Sequence, residues 1–394
     1  MPEYEISRRN FLKGSLCACI APAFLMGYPG LSFADVPTDK RLVLVFLRGG
    51  LDSLSAVVPY ADPGYRLVRG KLAVSQKDLL DADGFFAFHN KMKPLHELYQ
   101  KKELAVIHAV ATPYRERSHF DAQDLLENGT AKPNGTDSGW LNRAIQVMGG
   151  RSGESALGLS VGPSRQAVLR GDASVTSWSP SYLRDVNEDL ISRIARMYEH
   201  DELLHRNLGI AQENMGIADT KGKVGRGDRA FIPAMEAAAK FLVRQDGPRI
   251  AVVDLGGWDT HVNQNGRLSN LLGILSEGIT KFRLKTPDDI WNKTIVYVVS
   301  EFGRTVRPNG SNGTDHGTAG MSMVIGGRIQ GGRVISQWPG LSENKLFQRR
   351  DLMPTTDLRA VSKTLLGVHF GLSPGAIGRD ILPGTSGLAP VDLF

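Results

Sequence analysis

Five apolar runs punctuate the chain, at 41–47, 104–110, 250–255, 294–300 and 321–325. Each is rich in Val, Ile and Leu without clean alternation, the pattern of strands covered on both faces in a parallel sheet. Helical periodicity separates them, over 91–102, 118–128, 265–282 and 357–370, the last stopped by Gly371. The spacing predicts an α/β fold with a doubly wound, mostly parallel sheet between helices. In such sheets the ligand site lies beyond the carboxyl ends of the strands. The middle of the chain reads differently. Residues 183–205 and 229–244 look helical and flank a polar, Gly-rich stretch at 214–228, so about 183–246 is expected to form a helical insertion or cap. The tail from Leu382 reads as irregular.

The first residues add a compartment. Ser7-Arg8-Arg9-Asn10-Phe11-Leu12-Lys13 precedes an apolar stretch over 14–33, and Leu31-Ser32-Phe33-Ala34 offers a cleavage point after Ala34. This order of features predicts a twin-arginine signal peptide over 1–34, with the twin-arginine translocase as export partner. The expected location is periplasmic or extracellular. Gly and Pro break the stretch, so no stable membrane span is expected in the mature form. Both cysteines, Cys17 and Cys19, lie within it. The remaining 360 residues (394 less 34) then hold neither disulfide nor thiolate, and 35–394 is expected to be one α/β domain. Net charge is +6 with Lys and Arg dispersed. No basic stripe with interleaved aromatics argues for nucleic acid, while mild positive charge suits an anionic small-molecule or glycan substrate.

Candidate chemistry gathers where the predicted strands end. The first ends Arg48-Gly49-Gly50-Leu51-Asp52-Ser53, where Asp52 is either a metal ligand or a helix N-cap. The second leads to Arg115-Glu116-Arg117-Ser118-His119, with Ser118 at a predicted helix start as nucleophile or N-cap. Arg115 and Arg117 suit paired hydrogen bonds to an oxyanion, and His119 is a secondary ligand candidate. The third ends Gly256-Gly257-Trp258-Asp259-Thr260-His261, and residues two apart on an extended segment point the same way. The fourth ends Ser300-Glu301-Phe302-Gly303-Arg304, where Glu301 is a ligand or the ion-pair partner of Arg304. The next loop carries Asp315-His316 before the last strand. Asp52, Asp259, His261, Glu301, Asp315 and His316 together would serve one or two divalent ions, with Zn, Mn, Fe or Ca as candidates.

The words RGGLDSLSAVVPY, RSHFDAQ, GGWDTH, SEFGRT and NGTDHG resemble the hallmarks of an exported bacterial family catalogued as domain of unknown function 1501. That family resembles the alkaline phosphatase and sulfatase superfamily. The resemblance implies an alkaline phosphatase-like sandwich with metal ligands at strand ends. Asp52 then matches a metal-binding Asp after the first strand, Ser118 the nucleophile at a helix start, Asp259 and His261 a strand-end ligand pair, and His316 a late ligand. Where the superfamily has Asp-His directly after a strand, this chain has Ser300-Glu301. The expected activity is that of an exported metal-dependent hydrolase of phosphate or sulfate esters, with Ser118 attacking and Arg117 or Arg48 orienting the oxyanion. The alternative is a non-catalytic envelope protein on the same scaffold, binding an anionic glycan or assisting surface-polymer export.

Overall fold

The computed structural model describes residues 38–150, 156–180, 188–218 and 227–394. The expected signal peptide, 1–34, lies outside them. Twelve strands run in chain order among the described residues. They are β1 Arg41–Leu47, β2 Val57–Val58, β3 Leu79–Asp81, β4 Ala87–His89, β5 Leu104–Ala111, β6 Gly158–Val161, β7 Val175–Trp178, β8 Ile250–Leu255, β9 Thr294–Val299, β10 Gly320–Gly326, β11 Arg333–Ile335 and β12 Thr356–Asp357. The main sheet has the order β11-β5-β10-β9-β1-β8-β6-β7, with β12 also on β5, while β2, β4 and β3 form a small antiparallel sheet. β1 is parallel to β8 and β9, β8 to β6, and β6 to β7. β5 is parallel to β11 and β12. β10 runs antiparallel to both of its neighbours. The carboxyl ends of β1, β5, β8 and β9 therefore share one edge, and the loop into β10 returns to it.

The apolar runs are continuous because helices cover both sheet faces. Along β1, Val43, Val45 and Leu47 enter one core and Leu42, Leu44 and Phe46 the other. Helices Lys93–Gln100, Phe231–Leu242 and Gln264–Lys285 pack on the first face. His119–Asn128, Trp140–Val147 and Leu358–Thr364 pack on the second. Burying each large aliphatic side chain contributes roughly 1.5–3 kcal/mol, so a strand buried at every position is held from both sides. The expected strands agree with the observed ones to within one residue at each end. The late helix is shorter than its pattern, because Leu358–Thr364 passes into a π-helical turn at Leu365–His369.

The middle segment divides. Glu188–Tyr198 and Glu202–Ala218 are helices, and the second extends into the stretch expected to be a polar break. Buried Asn214 explains this, because it donates to Thr176 Oγ1 (2.8 Å) and Ser177 O (3.1 Å) on β7. Phe231–Leu242, by contrast, belongs to the helical layer on the sheet. The four-residue strands β6 and β7 carry no long apolar run and were not anticipated from the pattern. Among the described residues, no helix is long and apolar enough to cross a membrane.

Two core histidines tie stability to pH. His108 on β5 is fully buried, accepts from the Ala109 amide at Nδ1 (2.9 Å) and faces Val57 O through Nε2 (3.1 Å). His369 faces Arg41 O through Nε2 (3.0 Å). Burial pushes both pKa values down to about 4. Between the ordinary value of 6.5 and about 4, the unfolded chain binds protons that the native chain refuses, so stability falls as pH falls through this window. Each histidine should contribute about 1.4 kcal/mol per pH unit, roughly 3 kcal/mol over the window. Urea unfolding between pH 7 and 4.5 should show this slope, and His108→Gln should flatten it. An unchanged slope would remove His108 from the account.

Candidate metal centre

Close backbone approach builds the site. β1 leaves the sheet through Gly49 and Gly50, both at positive φ (121° and 80°). A Cβ on Gly49 would stand 2.4 Å from the Asp259 amide, and one on Gly50 2.7 Å from the Phe302 ring. This turn therefore fits against the exits of β8 and β9 only without a side chain. Gly49 also donates its N–H to Glu301 Oε1 (2.8 Å) and accepts at its carbonyl from Arg304 Nη1 (3.3 Å). After β9 the chain runs out and back. Gly303 N donates to Thr318 O and Gly317 N to Gly303 O (2.9 Å each), and Arg304 bridges His316. That narrow loop carries His316 to the edge where β5 and β8 deliver His119 and His261.

Three imidazoles converge there. His316 Nε2 lies 3.0 Å from His119 Nε2, 3.0 Å from His261 Nε2 and 3.2 Å from Asp259 Oδ1. His261 Nε2 is 2.8 Å from Asp259 Oδ1, and His119 Nε2 is 3.5 Å from Asp259 Oδ2. The far nitrogen of each ring meets a group that only accepts. His119 Nδ1 donates to Glu301 Oε1 (2.8 Å), His261 Nδ1 to Asp315 Oδ1 (3.1 Å), and His316 Nδ1 to the Arg117 carbonyl (3.0 Å). With the protons placed at Nδ1, a neutral ring turns its Nε2 lone pair inward. Three lone pairs and a carboxylate then lie close together, an arrangement that a cation would relieve.

The surroundings shift these ionisable groups. Burial pushes the Glu301 carboxyl up, but hydrogen bonds from His119, Gln123 and Gly49 outweigh it and leave the pKa below the ordinary value. The Glu301 hydrogen bond raises His119 against the opposing effect of burial. Burial and then the nearby His119 charge lower His316. Burial raises Asp259, but the Arg304 hydrogen bond and charge bring it below its ordinary value. The Asn309 hydrogen bond lowers Asp315. Arg304 itself is buried and donates to Asp259 Oδ1 (2.6 Å), Thr314 Oγ1 (3.1 Å) and the Thr314 carbonyl.

The residues singled out from sequence fall into distinct places. Asp259, His261 and His316 meet at the centre, joined by His119. Glu301 and Asp315 stand one step behind, on the Nδ1 side of His119 and His261. Asp52 departs from the expectation of a ligand: it is buried against Arg69, and its Oδ2 accepts from Arg69 Nη2, Ser55 Oγ (2.9 Å) and Gln264 Nε2. Arg48 is drawn to Glu127 (2.7 Å) and Asp254 (2.9 Å), and the Arg117 guanidinium to Asp351 (2.8 Å) and Gln348 (2.6 Å). Arg117 instead contributes its carbonyl, from a backbone at φ 62°. Ser118 occupies the N-cap position, yet its side chain makes no capping hydrogen bond. Arg304 pairs with Asp259 rather than with Glu301. The word RSHFDAQ held the signal for His119, since it sets that ring at the first residue of a helix starting from the site edge.

The donor set fits a metal. Histidine, aspartate and histidine side-chain atoms from His119, Asp259 and His316 lie within 4.8 Å of one another. Ligand bonds of about 2.0–2.1 Å set neighbouring tetrahedral donor atoms about 3.3 Å apart, close to the 3.0 Å between His119 and His316 and the 3.2 and 3.5 Å from those rings to Asp259. Imidazole nitrogen with one carboxylate suits Zn, Mn or Fe better than the all-oxygen shell of Ca. A carboxylate or carbonyl behind each ring is the usual support of a metal-bound histidine.

Comparison with known proteins sets this site in context. No curated protein matches the chain. Solved structures with a similar fold include a protein of the alkaline phosphatase superfamily from Vibrio parahaemolyticus, at 12% identity and a TM-score of 0.44, covering 87% of this chain and 71% of that one. A putative sulfatase from Bacteroides thetaiotaomicron aligns at 9% identity and a TM-score of 0.43, over 90% and 74% of the two chains. The C-terminal periplasmic domain of EcEptC from Escherichia coli, in complex with Zn, aligns at 10% identity and a TM-score of 0.38, over 77% and 78%. At this similarity no activity is carried across. The family described as Protein of unknown function (DUF1501) matches residues 100–382, and the chain belongs to that family.

Proposed function

We propose that the protein is an exported, metal-dependent hydrolase of phosphate or sulfate esters. The observation that carries this reading is the convergence of three imidazole Nε2 atoms on Asp259, each ring held from behind by an acceptor. His119, His261, His316 and Asp259 would hold the ion. A divalent ion there would supply Lewis-acid polarisation of a phosphoryl or sulfuryl oxygen. Ser118 is the nucleophile of this reading. Its hydroxyl sits at the amino end of a ten-residue helix, where the dipole favours developing negative charge, and no capping bond engages it. The substrate is an anionic ester, carried on a small molecule or a glycan. Export relies on the Arg8-Arg9 signal and the twin-arginine translocase.

One observation favours the second reading, a metal-bearing envelope protein without turnover that binds an anionic glycan or assists surface-polymer export. Both arginines expected to hold the oxyanion, Arg48 and Arg117, are bound to carboxylates instead.

Three measurements test the hydrolase reading, and turnover separates it from the second. Purified protein should retain a divalent ion by elemental analysis. His316→Ala should lose it, and Glu301→Gln should weaken zinc affinity about 10- to 100-fold by competition with a chelator. A phosphatase and sulfatase substrate panel should find turnover in the metal-loaded protein, with Ser118→Ala reducing kcat by at least ~100-fold if Ser118 attacks. Bound metal with no turnover on either ester class would select the envelope reading. Replacing Arg8 and Arg9 together by Lys should leave the unprocessed chain in the cytoplasmic fraction. Unchanged export of that variant would sink the twin-arginine route.

A further inference from the structure

We infer that this centre takes one divalent ion, and that Arg304 stands as the fixed cation beside it where a second ion would otherwise be needed. The inference rests on the reading that the histidine cluster binds metal, and it deepens that reading to a stoichiometry. Its first support is Asp52, the carboxylate delivered by the central strand β1 to the same sheet edge. Asp52 is engaged elsewhere. Arg69 is wholly buried and donates to Asp52 Oδ2, to Ser55 Oγ (2.7 Å) and to the Thr305 and Val306 carbonyls (3.3 and 3.1 Å). Turning Asp52 toward a metal would leave the Arg69 guanidinium charged, buried and unpaired, which is strongly unfavourable.

A continuous buried hydrogen-bond chain then leads from Asp52 to the centre. Gln264 donates to Asp52 through Nε2 and accepts at Oε1 from Thr314 Oγ1 (2.6 Å) and Thr260 Oγ1 (2.9 Å). Thr314 Oγ1 accepts from Arg304 Nε (3.1 Å), and Arg304 Nη1 reaches Asp259 Oδ1 (2.6 Å). Arg304 donates toward both ends of this chain, to Thr314 on the way to Asp52 and to Asp259 at the centre. The chain fixes the guanidinium against the carboxylate that faces the three imidazoles. The space on that side of Asp259 is thereby taken by a permanent positive charge.

Charge gives the same answer. Asp259, Asp315 and Glu301 are the carboxylates in contact with the imidazoles, and Arg304 is the cation in contact with Asp259. Three negative charges less one positive leave two, with the rings neutral. One divalent ion balances the centre. A second would leave it at two positive charges in a partly buried site, with Glu301 and Asp315 already committed to ring Nδ1 atoms.

The test uses the whole protein loaded with zinc alone and, separately, with manganese alone. One zinc per chain by elemental analysis, and the uncoupled electron-paramagnetic-resonance spectrum of a lone manganese ion, are expected. Asp52→Asn, checked for folding by circular dichroism, should keep one zinc with affinity within about threefold, whereas His316→Ala should lose more than about tenfold. Two zinc ions per chain, a coupled manganese spectrum, or a folded Asp52→Asn that loses its zinc overturns the single-ion inference while leaving the metal reading intact. No zinc on the wild-type protein overturns both. If Asp52→Asn does not fold, the stoichiometry and the manganese spectrum of the wild type decide the matter.

Discussion

An imidazole has two nitrogens, and what binds one decides what the other offers. At this sheet edge three rings have their Nδ1 protons claimed by Glu301, Asp315 and the Arg117 carbonyl, so their Nε2 atoms are left to face Asp259. Without a positive charge that arrangement repels itself. The rest of the site is best understood as the means of imposing it. Glu301 is kept ionised in a buried position by donors from Gly49, His119 and Gln123. Asp315 is steadied by Asn309 (3.2 Å), and Arg117 turns its carbonyl inward by adopting a left-handed backbone.

The scaffold supplies these parts from distant points in the chain. Parallel strands β1, β5, β8 and β9 end at one edge, which is why residues near positions 49, 119, 261 and 301 meet. β10 runs the other way, and that reversal matters equally. It requires the loop after β9 to stay on the site edge, so Asp315 and His316 arrive beside His261 instead of on the opposite side of the sheet. Glycines at the crossings permit the approach. A Cβ at Gly313 would strike the His261 carbonyl at 2.2 Å.

Strand positions were legible in the sequence because burial on two faces leaves an apolar run, and each residue of β1 from Leu42 to Leu47 enters one of two cores. Direction was not legible, since an apolar run reads the same for β10 as for its parallel neighbours. β6 and β7 were missed because they are short and polar-spaced, with Ser160 held by Gln166 (2.8 Å) rather than by packing. Strand-end position located the site, and the i, i+2 rule correctly put Asp259 and His261 on one side. It could not rank the carboxylates. Glu301 and Asp315 differ from Asp259 only in which side of an imidazole they meet, and Asp52 is diverted by Arg69, which lies 17 residues away along the chain. Such pairings depend on tertiary neighbours that no local spacing encodes.

The electrostatics also constrain any chemistry the centre performs. Glu301, Asp259 and Asp315 surround the histidines with negative charge, while Arg48 and Arg117 spend theirs on other carboxylates. An anion approaching the bare cluster is therefore repelled by it. Arg304, held on Asp259, offsets only part of this. A bound divalent ion would cancel the negative charge that an anion meets at this edge. Under the metal reading, the residues that would hold the ion are also those that would make anion binding possible, so loss of one histidine should abolish both together.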